Sequence, residues 1–143
     1  MQGDELTYDL SIFDDKIDQN TFEQILEMDD DSEREFSKGI VYGFFEQAES
    51  TFTKMESALD AKDLKELSDL GHFLKGSSAT LGLTKVKEAC EKIQHFGAKK
   101  DETGQNTESN DSVSLQKIKT TLTQAKEDYN DVVTLLKQFY GEK

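Results

Sequence analysis

The sequence contains no proline and only one cysteine in 143 residues. The absence of proline leaves long helices uninterrupted. The single cysteine, Cys90, excludes an internal disulfide and makes the reducing cytoplasm and nucleus the expected compartments. The longest apolar run, residues 40–45, is far shorter than the roughly 20 residues that span a bilayer. The acidic N-terminus shows no signal-peptide pattern.

Basic residues are also scarce: 17 lysines and arginines stand against 30 acidic residues, which gives a net charge of −13. Nucleic-acid binding needs a basic face that displaces counterions, and anionic membranes attract basic segments. We therefore expect neither nucleic acid nor membrane as a partner. The acidic run 29–31 lacks the spacing of a calcium loop, so no metal or other cofactor of the chain's own is expected.

Apolar residues recur at spacings of three and four in four long segments, which predicts amphipathic helices. These cover about 41–59, 62–81, 84–97 and 115–139, and a short helix with Phe22, Ile25, Leu26 and Met28 precedes them. The pattern predicts an all-α chain, an antiparallel four-helix bundle with a short additional N-terminal helix, as a single domain over 1–143. Residues 1–19 are predicted to be an arm that packs on the bundle.

Two further local predictions concern the ends of helices. Ser32 and Glu35 have the spacing of a capping box, which predicts the start of the second helix. Residues 99–112 contain no apolar residue, so a flexible, solvated loop is predicted between the last two helices.

His72 lies outside the apolar stripe of the third helix. At about 100° per residue it points roughly 140° to 200° away from that stripe, whose members are Leu67, Leu70, Leu74 and Leu81. The histidine is therefore predicted to face solvent, beside Ser68, Lys75, Gly76 and Ala79. Imidazole has an ordinary pKa of about 6.5, so a neutral ring offers a lone pair at pH 7. The pattern indicates a phosphoryl acceptor, with an ordinary surface histidine as the alternative.

The residues around His72 fit that chemistry. Lys75, at i+3, can meet the charge of a phosphoryl group, although many lysines are only solvated surface charges. Gly76 costs about 1 kcal/mol relative to alanine in a helix, and its place on the exposed face favours clearance for a partner. Gly71 lies off that face and suits close helix packing instead. His95 is interpreted as a surface residue and Cys90 as a core thiol. No Walker-type loop or kinase signature is present, so we do not expect phosphorylation from ATP.

The segment 72–82, HFLKGSSATLG, resembles the signature of histidine-containing phosphotransfer (HPt) domains. Segments 28–31, 36–39 and 90–94 are similar to its fungal branch, the intermediates of osmotic-stress phosphorelays. The resemblance covers about residues 20–98 and implies a four-helix bundle in which the phosphoacceptor maps to His72, its lysine to Lys75, its clearance glycine to Gly76, and a glutamine supporting the histidine ring to Gln94. The sequence departs from the fungal pattern at Ala98, where a basic residue is usual. Lys99 or Lys100 would take its place.

The same resemblance implies that receiver domains dock around the histidine. The residues expected to contact them are Ile25, Leu26, Met28, Ser68, Asp69, Phe73 and Ala79. The expected partners are the receiver domain of a hybrid sensor histidine kinase and the receiver domains of response regulators, which supply Mg²⁺ themselves. We expect a monomer in the cytoplasm and nucleus.

The leading hypothesis is thus a phosphorelay shuttle. It accepts a phosphoryl group from a receiver aspartate onto His72 and passes it to the aspartate of a response regulator. A module that only binds its partner, with no covalent step, is the second hypothesis. A degenerate enzyme or a metal-binding bundle is the third, but it would need Glu and His ligands facing inward, and the apolar stripes contain none.

Overall fold

A computed structural model describes residues 13, 15–30 and 33–141. Within these residues the chain forms five helices: α1 (Gln19–Leu26), α2 (Glu35–Asp60), α3 (Leu64–Leu81), α4 (Thr84–Gly97) and α5 (Asp111–Phe139). Helices α2 to α5 pack in a ring in chain order, and α1 lies against α2 and α3. Because α2, α3 and α4 are joined by connections of two or three residues, neighbouring helices run antiparallel. The predicted all-α bundle with an extra N-terminal helix is confirmed.

The core lies between the apolar stripes of the four long helices. Leu67, Leu74, Ile93 and Leu136 are fully buried there, and burial of each such side chain contributes about 1.5–3 kcal/mol. Tyr129 of α5 reaches across the core, and its hydroxyl donates to the Phe45 carbonyl of α2 at 3.1 Å. Each long helix keeps a polar face, and none in the described part of the chain could cross a membrane.

The end of the predicted arm packs on the bundle. Phe13 and Ile17 are buried, and the Phe13 ring lies 5.2 Å from that of Phe22. The Asp18 amide donates to the Gly82 carbonyl at 2.6 Å, directly after α3 ends. Gly82 has φ of +77°, a conformation that favours glycine. Residues 1–12 of the arm lie outside the described residues.

The N-terminus of α2 is capped by Asp29, a residue of the segment that precedes the helix. The Asp29 carboxylate accepts from the Ser37 amide at 2.8 Å and from the Ser37 hydroxyl at 2.7 Å. From α5, the Tyr140 hydroxyl donates to Ser37 Oγ at 2.7 Å, and burial raises the pKa of Tyr140 to about 12. Arg34 occupies the N-cap position without a side-chain cap. The N-cap of α2 is therefore Arg34 and not the predicted Ser32, which lies outside the described residues.

We expect Asp29→Ala to lower the free energy of unfolding by about 2 kcal/mol, because it removes a charged cap and leaves the amide of the buried Ser37 without its acceptor. Urea unfolding measures the effect. Glu27→Ala, which removes an exposed carboxylate nearby, should stay within about 0.5 kcal/mol of wild type. Equal stability of the two variants would contradict this role for Asp29.

The loop between α4 and α5 contains a network of hydrogen bonds, and the flexibility of residues 99–112 stays a prediction. Asp101 accepts from the Thr103 hydroxyl at 2.6 Å and from the Asn106 side-chain amide at 2.6 Å. These bonds hold the pKa of the Asp101 carboxyl well below its usual range. His95 Nδ1 lies 2.8 Å from the Glu102 carbonyl oxygen. His95 is therefore a support of the loop and not the simple surface residue that was predicted.

Candidate functional site

His72 lies in the middle of α3 with its side chain exposed. The residues on the opposite side of the helix, Leu67, Leu74 and Leu81, are buried. Rotation of about 100° per residue thus separates the histidine from the core, as predicted from the sequence. None of the hydrogen bonds found among residues 13, 15–30 and 33–141 involves the His72 ring, so both ring nitrogens are open to a visiting group.

Lys75 follows His72 by one helical turn and is about one-quarter exposed. Its Nζ lies 3.7 Å from Oε2 of Glu91, a residue of α4 whose side chain is about half exposed (24% and 45% respectively). The lysine therefore does not extend freely into solvent but pairs across the α3–α4 interface. It remains on the face that carries His72, since residues at i and i+3 are neighbours on a helix.

The two glycines that flank His72 have different surroundings. A Cβ on Gly76 would meet no atom within 4 Å, so this glycine leaves open space beside the histidine. A Cβ on Gly71 would lie 2.8 Å from both the Cys90 carbonyl oxygen and the Gln94 amide nitrogen. Gly71 is thus a packing glycine, as predicted, and Gly76 is not required by packing.

Gln94 of α4 lies beside the turn of α3 that precedes His72. Its carbonyl accepts from the Ser68 hydroxyl at 2.9 Å, and its backbone lies against Gly71. The Oε1 atom of Gln94 is buried and has no hydrogen-bond partner. No hydrogen bond among the described residues joins this side chain to the His72 ring, so the support of the ring by Gln94 stays a prediction.

The predicted partner contacts divide into exposed and buried residues. Ile25 and Leu26 are buried in the core, where they hold α1 on the bundle, and their contact with a partner stays a prediction. Met28 and Phe73 are 62% and 48% exposed, and Ala79 is exposed.

The polar residues before His72 have local partners. Ser68 is half-buried and bonded to Gln94, as described above, while Asp69 is exposed and pairs with Lys65 at 3.1 Å. The Ser68 hydroxyl is therefore only partly available to a partner, because it is bonded to α4. Asp69 remains accessible on the His72 side of α3.

Sequence reasoning missed two residues of this surface. Phe36, in the first turn of α2, is 47% exposed, and the next residue, Ser37, is hydrogen-bonded to Asp29, which follows Met28 in the chain. The sequence did offer a signal for Phe36, since this aromatic residue lies outside the apolar stripe of α2. Glu91 was missed because its importance depends on the pairing of α3 with α4, which the local sequence does not reveal.

Cations near the histidine are few. Lys99, one of the two residues expected to replace the missing basic residue at Ala98, pairs with Asp111 at 3.4 Å. Lys75 is therefore the cation best placed to act at His72. Within the described part of the chain no cluster of three or more His, Cys, Asp or Glu side chains is arranged to hold a metal. The arrangement is an exposed nucleophile with one adjacent ammonium group and an open approach.

Comparisons with known proteins agree with this geometry. The model of the Hpt domain family matches residues 40–128. The multistep phosphorelay regulator 1 of Schizosaccharomyces pombe is 47% identical over 141 residues, which is 94% of this chain and 48% of the relative. The phosphorelay intermediate protein YPD1 of Saccharomyces cerevisiae is 52% identical over 77 residues, 53% of this chain and 46% of that protein. These matches span about half the length of the curated relatives.

A solved structure of the Saccharomyces cerevisiae protein is similar over nearly its whole length. In a complex of Ypd1 with the receiver domain of its downstream response regulator Ssk1, the Ypd1 chain superposes with a TM-score of 0.78 and 34% identity. The match covers 89% of this chain and 95% of that one. The histidine phosphotransfer protein MtHPt2 of Medicago truncatula has a TM-score of 0.59 at 22% identity, with 90% and 84% covered, and so shares the fold.

Proposed function

Since the chain belongs to the Hpt domain family, we propose that it carries a phosphoryl group on His72 between the aspartates of two receiver domains in a multistep phosphorelay. The observation that carries the proposal is the exposed His72 ring on a face kept open by Gly76. A buried imidazole could not be reached by the aspartyl phosphate of a folded partner.

The transfer needs little from this chain beyond position and charge. A ring nitrogen of His72 attacks the phosphorus of the receiver's aspartyl phosphate, and its lone pair forms the N–P bond. The P–O bond breaks, and the aspartate leaves as a carboxylate with the electron pair. Lys75 stabilises the charge on the transferring group. The return step, from phosphohistidine to the aspartate of the next receiver, reverses these bonds.

Most of the catalytic machinery for phosphoryl transfer would come from the receiver, including Mg²⁺. The proposed donor is the receiver domain of a hybrid sensor histidine kinase, and the proposed acceptors are response regulators. The chain would act as a histidine phosphotransferase without ATP-dependent activity of its own. Exposed Met28, Phe36, Phe73 and Ala79 supply apolar surface for a transient interface at the small end of the known range. We further propose a monomer in the cytoplasm and nucleus.

Incubation with a phosphorylated receiver domain tests the proposal. We expect the chain to acquire an acid-labile, alkali-stable phosphoryl group, and phosphopeptide mapping under alkaline conditions should place it on His72. A second, unphosphorylated receiver should then remove it. A receiver that binds the chain but keeps its phosphoryl group would contradict the proposal and favour a module that only binds.

Gly76→Ala should change the stability of the fold and the rate of phosphoryl transfer in opposite directions. Alanine should raise the free energy of unfolding by about 1 kcal/mol, because the helix gains propensity and the new methyl group meets no atom. The rate of phosphoryl uptake from the receiver should fall on the order of tenfold, since the methyl group occupies the approach to His72. Urea unfolding and rapid-quench labelling measure the two effects.

Gly43→Ala is a matched control for this change. Gly43 is an exposed glycine within α2, and a Cβ there also meets no atom within 4 Å. It should give the same gain in stability with an unchanged rate of uptake. If Gly76→Ala transferred as fast as Gly43→Ala, the clearance role of Gly76 would be wrong.

A further inference from the structure

Glu91 and Lys75 form an ion pair that joins α4 to α3 beside His72. Their charged atoms lie 3.7 Å apart, and both side chains are partly shielded from solvent, with 45% and 24% of their area exposed. The pairing follows from the close approach of the two helices. The backbone of α4 from Cys90 to Gln94 lies against Gly71, and Glu91, within this stretch, reaches Lys75 one turn further along α3.

The pair has a consequence once His72 is phosphorylated. A phosphoryl group brings up to two negative charges to the turn that Lys75 occupies. For Lys75 to turn its ammonium group to the phosphoryl oxygens, its ion pair with Glu91 must be weakened. The free energy lost from this pair disfavours the phosphohistidine relative to the free histidine.

We propose that Glu91 is a positioning residue that holds Lys75 in the unphosphorylated protein and thereby limits the stability of the phosphohistidine. The inference rests on the proposed function of His72 and deepens it. A carrier must release its phosphoryl group as readily as it accepts it. Glu91 offsets the stabilisation of the phosphohistidine by Lys75, so that the phosphoryl group can leave this chain.

Glu91→Gln tests the inference. After His72 is loaded with the small-molecule donor phosphoramidate, the half-life of the phosphohistidine should be about two- to five-fold longer in the variant, the range expected for a partly exposed ion pair. The equilibrium with a receiver should shift toward phosphohistidine by a similar factor. Higher salt should bring the wild-type half-life closer to that of the variant, because ions screen the pair.

Glu88→Gln is the matched control. It removes the same charge from the same helix at an exposed position one turn away, and it should leave the half-life within a factor of about 1.5 of wild type, given the weak coupling of separated surface charges. In a Lys75→Met background, Glu91→Gln should lose most of its effect, since Glu91 acts through the lysine. Unfolding midpoints of all variants should coincide, which distinguishes this role from a structural one.

Two results would overturn the inference. One is an equal half-life in Glu91→Gln and Glu88→Gln, and the other is a full effect of Glu91→Gln in the absence of Lys75. Loading with phosphoramidate requires no partner. A chain that is loaded but exchanges nothing with any receiver would therefore contradict the proposed relay function and leave the role of Glu91 supported by the half-lives.

Discussion

Replacing His72 with glutamine is expected to abolish phosphoryl acceptance. Glutamine keeps polarity and approximate length but has no ring nitrogen whose lone pair can form an N–P bond. Because the side chain is exposed and bonds to no other described residue, the fold should be unaffected, with a change in unfolding free energy within about 0.5 kcal/mol. Labelling with a phosphorylated receiver should leave no measurable acid-labile phosphate on the variant.

Binding and chemistry can be separated in the same experiment. The affinity of His72→Gln for the unphosphorylated receiver should remain within a few-fold of wild type, as measured by calorimetry, because the apolar surface is intact. His95→Gln is the chemical control, since His95 is the only other histidine in the sequence, and it should still take up label. Persistent labelling of His72→Gln would show that the acceptor has been assigned to the wrong residue.

Gly97→Ala is expected to lower the free energy of unfolding by up to about 2 kcal/mol. A Cβ on this last residue of α4 would lie 2.6 Å from both the Leu64 carbonyl oxygen and the Ser68 amide nitrogen. These are backbone atoms of α3 and cannot rotate away as a side chain could, so the two helices must separate. Such overpacking costs about 1–3 kcal/mol and occasionally more, against a gain of about 1 kcal/mol in helix propensity.

Urea unfolding of Gly97→Ala beside Gly43→Ala measures this effect, and the two substitutions should change stability in opposite directions. Separation of α3 from α4 should also move Glu91 away from Lys75, so the phosphohistidine of Gly97→Ala should live longer than that of wild type. A Gly97→Ala protein as stable as wild type would mean that the close approach of the two helices contributes little to the fold.

The local pattern of the sequence was sufficient to predict the helices and the exposed position of His72. The apolar residues of α3 repeat with the period of a helix, and that period alone turns His72 away from the core. Gly82 follows the last residue of α3 with a positive φ, a conformation that glycine adopts readily. The same reasoning indicated that Gly71 packs and Gly76 does not, since the two differ in angle around one helix.

The surroundings of some residues depend on how segments pack and not on the local pattern. The resemblance gave Ile25 and Leu26 only as partner contacts, and the docking of α1 decides that both are buried. The absence of apolar residues after α4 predicts a flexible loop, but it does not reveal the hydrogen bonds that Asp101 makes there. The path of the chain before α2 likewise decides that Asp29 caps this helix.

The sequence by itself therefore determined the fold class and the exposure of His72, because both depend on periodicity within single helices. The tertiary structure decided which groups surround that histidine. The pairing of Lys75 with Glu91 depends on the distance between α3 and α4, which Gly71 and Gly97 set through contacts between backbones that are far apart in the chain.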